Sequence, residues 1–69
     1  MIQFDLHAHD YIQLNQLLKL LGLVESGGEA NQRIIIGEVM VNDVVEYQKR
    51  KKLRRGDKVI FGKEQVMII

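Results

Sequence analysis

Residues 49 to 58, Lys49-Arg50-Lys51-Lys52-Leu53-Arg54-Arg55-Gly56-Asp57-Lys58, hold seven cations against one acid, a net of +6. The rest of the chain holds three cations against eight acids, a net of −5. The formal total of +1 therefore hides a strong division of charge. Crowded like charges repel and weaken a compact fold unless something offsets them, and segregation of this kind points to a polyanionic partner. The alternative is a solvated, lysine-rich loop. A surface built only for solubility, however, intersperses both signs.

Other chemistries find less support. There is no cysteine, so disulfides and thiolate metal sites are excluded. His7 and His9 with Asp10 nearby could bind zinc weakly, but no further ligand is visible and two imidazoles do not close a site. No Gly-rich phosphate loop occurs, and no acids pair specifically enough for general acid–base work, so we expect neither enzyme activity nor a cofactor.

The elements that must hold the basic run are legible from spacing. Ser26 followed by Glu29 is a capping pair. The Ser hydroxyl accepts from the Glu29 N–H and the Glu carboxylate reaches back to the Ser26 N–H. Ala30, Ile34 and Ile35 form the inward face of the helix so begun, and Gly37 ends it. An earlier helix is expected over 11–21, with Asp10 as its cap, Leu14, Leu17, Leu18 and Leu21 as its stripe, and Gly22 as its stop. Val39 and Val41 alternate with Glu38 and Met40 as a half-buried strand, Asn42-Asp43 turn the chain, and Val44 and Val45 continue extended. Ile2, Phe4 and Leu6 read as an outer strand, and Lys58–Phe61 and Gln65–Ile69 as two more joined by Gly62-Lys63-Glu64. The expected fold is α+β, two main helices packed on a small, mostly antiparallel sheet.

Sixty-nine residues, 46% of them apolar, make one small domain over 1–69, too small for a large substrate cavity. No apolar segment is long enough to span a bilayer, and Met1-Ile2-Gln3-Phe4-Asp5 lacks the order of a signal peptide, so a cytoplasmic monomer is the expectation.

The succession Leu14 to Leu21, Ser26, Glu29-Ala30, Ile36-Gly37, Val39-Met40-Val41-Asn42 and Gly56-Asp57 resembles the RNA-binding domain named after the small-subunit ribosomal protein S-four, with its alpha-L motif. The resemblance covers residues 11 to 60, and the small single-domain members of the YbcJ type look closer to this sequence. Two positions depart: Gly27 stands where many members carry Arg, and Asp43 where many carry Gly. The resemblance implies a structured RNA as partner, ribosomal or transfer RNA, met by backbone and shape, with a place in ribosome assembly or RNA metabolism. It also implies RNA contacts from Lys19, Gln32 and Arg33 on the helices, and from Lys49, Arg50, Lys51, Lys52, Arg54, Arg55 and Lys58 in a loop lining the groove.

The residues themselves favour RNA over duplex DNA, because no helix presents a row of base-reading side chains for the major groove. Among the aromatics, Phe4 and Phe61 read as core, and Tyr47 could stack on a base or serve as the rim of the core. Two other readings use the same run: a protein adaptor meeting an acidic partner, and a peripheral contact with anionic lipid, the latter without an adjacent apolar anchor.

Overall fold

The computed structural model describes residues 1–69. In chain order the elements are β1 (Ile2–Phe4), β2 (Ile12–Gln13), α1 (Leu14–Leu20), α2 (Gly27–Ile35), β3 (Val39–Val41), β4 (Val44–Val45), β5 (Lys52–Leu53), β6 (Lys58–Phe61) and β7 (Glu64–Ile68). Five strands form one sheet in the order β1-β7-β6-β3-β4, in which only β1 and β7 run parallel. β2 and β5 form a separate antiparallel pair. Two helices on a mostly antiparallel sheet is the expected α+β architecture.

Alternation along the strands builds the sheet side of the core. Val39 and Val41 of β3, Val59 of β6, and Val66 and Ile68 of β7 are buried. Register makes them partners, with Val41 opposite Val59 and Val59 opposite Val66. Leu14, Leu17 and Leu18 of α1 and Ala30 and Ile34 of α2 complete one cluster with them, and Leu21 packs at its margin. The asparagine–aspartate turn has both residues at positive φ, 51° and 69°, the backbone of a tight two-residue hairpin.

Both helix stops are sequence-encoded. Gly37, at φ 86°, donates to the Ile34 carbonyl while Glu38 donates to that of Arg33, which satisfies the last carbonyls of α2. A side chain at Gly37 would also meet the Tyr47 ring at 3.3 Å. The start of α2 departs from expectation in one bond. The Ser26 hydroxyl accepts from the Glu29 N–H at 3.1 Å, but the Glu29 carboxylate accepts from the Glu25 N–H at 2.8 Å, one residue before the cap. Ile35, expected inward, is 54% exposed, because Ala30 and Ile34 already fill the narrow face toward α1 and the sheet.

The larger correction concerns α1. It begins at Leu14, not Tyr11, and Asp10 is not its cap; the cap position is Gln13, which offers no side-chain bond. Ile12-Gln13 is a strand instead, with Ile12 opposite Leu53 and Gln13 opposite Lys52. Pairing with a distant strand overrides the local capping preference. The basic run is correspondingly not a plain loop. Leu53 in its middle is 0% exposed and anchors it to the core.

Leu53→Ala is therefore expected to cost about 2–5 kcal/mol of stability. Urea unfolding monitored by circular dichroism measures this, and a change within a few tenths of a kcal/mol would show that the run is not anchored there.

Candidate nucleic-acid interface

The basic run is mounted on the first turn of α1. The Leu14 N–H donates to the Lys51 carbonyl at 2.9 Å and the Asn15 N–H to the Lys49 carbonyl at 3.0 Å. Helix-start amides lack intrahelical acceptors, and here the basic segment supplies two of them. The β2–β5 pair extends the attachment. Side chains alternate on that pair, so Ile12 and Leu53 point inward while Tyr11, Lys52 and Arg54 share the outer side. Lys52 Nζ lies 4.9 Å from the centre of the Tyr11 ring and the Arg54 guanidinium 5.7 Å from it. Such contacts are worth about 0.5–1 kcal/mol at exposed sites and hold the two cations together despite their repulsion.

The end of the run is fixed by a polar knot. Asp57 accepts from the Arg54 N–H at 2.8 Å and from Asn42 Nδ2 at 3.0 Å, and Asn42 Oδ1 accepts from the Lys58 N–H at 3.0 Å. The asparagine of the hairpin and the aspartate of the Gly-Asp turn thus bind each other. Arg55 Nη2 donates to the His7 carbonyl at 2.8 Å and ties the run to the 7–10 connection. His7 itself donates its N–H to Asp5, and no three metal-ligating side chains gather anywhere in the fold.

The expected contact residues fall into three groups. Lys49, Arg50, Lys51, Lys52, Arg54 and Arg55 have no carboxylate within 4.0 Å and follow one another in a single stretch of the chain, the cationic strip. Lys19 lines a groove of about 720 Å³ that also takes in Tyr11, Gln13, Asn15, Gln16 and Gly27. Asn15, which lines that groove, donates from Nδ2 to Asn31 Oδ1 at 3.0 Å and joins the two helices.

Lys58 and Arg33 are occupied within the fold. Lys58 Nζ sits 3.2 Å from Asp43 Oδ1. Arg33 donates through Nη1 to both Glu38 carboxylate oxygens at 3.1 Å, and Nη2 stands 3.4 Å from Glu29. The hydrogen bond and charge of Glu38, with a smaller contribution from Glu29, raise the Arg33 pKa above its ordinary value. Gln32 shares with Arg33 a depression beside Ile35, Ile36 and Glu38 that has no residue in common with the groove at Lys19. Tyr11 is thus the residue common to the Lys19 groove and to the Lys52–Arg54 contact, whereas Gln32 and Arg33 line a depression that shares no residue with either.

In the sequence Tyr47 could stack on a base or serve as the rim of the core, and Tyr11 had no role beyond opening the first helix. Tyr47 is exposed but leans over Gly37. Tyr11 is the ring against the cations. The available signal was the alternation of Tyr11, Ile12 and Gln13 ahead of the leucine stripe.

Comparison with known proteins is consistent with this geometry. A family model described as the S4 domain matches residues 4–69. This chain belongs to the S4 domain family. YbcJ of Escherichia coli, named for RNA binding, is 39% identical over 69 residues, covering 100% of this chain and 99% of its own. The solution structure of YbcJ, described as revealing an alpha-L motif involved in RNA binding, superposes with a TM-score of 0.76 at 39% identity, covering 100% of this chain and 87% of that one. RlbA of Bacillus subtilis, named for ribosome maturation, is 39% identical over 61 residues, 84% of this chain and 86% of its own. Within the S4 domain, the two departures now have structural settings. Gly27 opens α2 with free space where a side chain would stand, and Asp43 takes the positive-φ turn position and pairs with Lys58.

Titration with inorganic polyphosphate should shift the amide resonances of 49–55 and Tyr11 and leave those of Arg33 and Glu38 in place. A response spread evenly over all ten cations would contradict the division drawn here.

Proposed function

We propose that this S4 domain is a non-enzymatic RNA-binding protein that docks on structured RNA through the strip at 49–55 and through Lys19. One observation carries the reading: six cations without a carboxylate partner are fixed to the first turn of α1 and the β2–β5 pair. A ribose-phosphate chain offsets their mutual repulsion and releases its counterions on binding. Backbone and shape recognition suits a folded RNA whose deep major groove side chains cannot read. The relatives' names support the same reading, YbcJ for RNA binding and RlbA for ribosome maturation. From the second we take ribosomal RNA, during assembly of the particle, as the favoured target. A monomer working in the cytoplasm fits that role.

Binding of a labelled ribosomal RNA fragment, measured by fluorescence anisotropy at several salt concentrations, should weaken with a slope of log K on log salt of about −3 if four phosphates are neutralised. A flat dependence would overturn the reading. In the same assay Arg50→Glu with Arg54→Glu should lower affinity roughly a hundredfold or more, with an unchanged circular dichroism spectrum. Arg33→Ala should stay within about twofold of the parent, because its guanidinium is already committed to Glu38 and Glu29.

A further inference from the structure

Beside the cationic strip lies a second, smaller hollow. It is a cleft of about 250 Å³ between β1 and α1, walled by Phe4, Leu6, Tyr11, Ile12 and Leu20. His9 and Gln16 stand at its edge. Drug-sized ligands occupy roughly 300 Å³ or more. This cleft is below that size and suits one planar heterocycle. Two of its walls are unusual for a surface: Leu20 is 61% exposed and Tyr11 39% exposed, so apolar area is left uncovered.

Its surroundings identify the occupant. The cleft and the polar groove that contains Lys19 share His9, Tyr11 and Gln16. On the other side of the 7–10 connection, Arg54 and Arg55 flank a third hollow that shares Ala8, His9 and Asp10 with that groove. Lys52 and Arg54 meet the very ring, Tyr11, that walls the cleft. An apolar slot thus adjoins three or four cations. The matching ligand is a flat apolar group joined by a short linker to an anion, which is a nucleotide. Asp5 at the cleft and Asp10 in the groove disfavour a phosphate at those points and suit the N–H edge of a base.

We propose that this cleft receives a single unpaired nucleobase of the bound RNA, stacked against Tyr11, while the adjoining phosphates follow Lys19 and the strip. The inference rests on the RNA-binding reading above and adds to it. A surface that otherwise reads backbone and shape would gain a means to select RNA with a bulged or looped-out nucleotide. Unpaired bases are the elements of RNA that proteins can stack and read, since paired ones are hidden in the helix.

The experiment compares two RNA hairpins of equal length at one salt concentration, one fully paired and one with a single bulged adenosine. The bulged hairpin should bind at least tenfold tighter. Leu20→Gln changes an exposed wall without changing charge. It should reduce the bulged hairpin to the affinity of the paired one, leave the paired one unchanged, and preserve the amide spectrum of the core. 2-Aminopurine at the bulge should change its fluorescence on binding the parent and not the variant. Equal affinity of the parent for both hairpins, or an equal loss for both in the variant, would overturn the cleft while leaving RNA binding intact. Binding of neither hairpin would overturn both readings.

Discussion

Two backbone hydrogen bonds hold the basic run to the fold: Leu14 N–H to the Lys51 carbonyl and Asn15 N–H to the Lys49 carbonyl. α1 is seven residues long and starts without a side-chain cap. A helix this short is marginal by itself and leaves its first amides without acceptors. The basic run supplies those acceptors, and the helix in turn gives the run a fixed course. Leu53, buried in the middle of the run, and Ile12 opposite it make the same connection through apolar packing. Neither segment is complete without the other. A flexible polycation would lose conformational entropy on meeting RNA, and this one is already ordered.

The charges sort into two kinds once their partners are known. Arg33 and Lys58 neutralise acids of the fold, Glu29, Glu38 and Asp43, and help to fasten α2 and the β3–β4 hairpin. The cations from Lys49 to Arg55 neutralise nothing in the protein. Tyr11 gathers two of them, and the Asn42–Asp57 knot stops the run from wandering at its far end. Asn42 and Asp57 are fifteen residues apart, and their direct bond explains why a hairpin asparagine and a Gly-Asp turn occur together in this chain. The apolar cleft next to Tyr11 belongs to the same region, so charge and uncovered apolar area converge near the start of α1.

Much of this was legible in the residues, for reasons that differ element by element. The five strands of the main sheet were legible, β1 and β3 from the alternation of Ile2 with Phe4 and of Val39 with Val41, whereas β2 and β5 were not. The helix stops followed from Gly22 and Gly37, whose positive φ other residues resist. The start of α1 was hidden because Asp10 offered a good local cap, while the decisive partner, Leu53, lies more than forty residues away. Ile35 misled because its spacing fits a helical face wider than the one α2 buries. The basic run was identifiable by composition, but not its division into paired and unpaired cations. Arg33 has Glu29 one helical turn before it, yet its nearer partner is Glu38, beyond the helix stop, and only the reversal of the chain at Gly37 brings the two together.

The face of the protein that meets RNA is the point on which the roles of all these residues depend. Paramagnetic relaxation from a nitroxide-labelled ribosomal RNA fragment reports that surface residue by residue. The amide signals of Tyr11 and of Lys49 through Arg55 should broaden most, with those of Val44, Val45, Ile35 and Ile36 little affected. Broadening centred on β4 and the end of α2, with the strip untouched, would contradict the strip's role as that face.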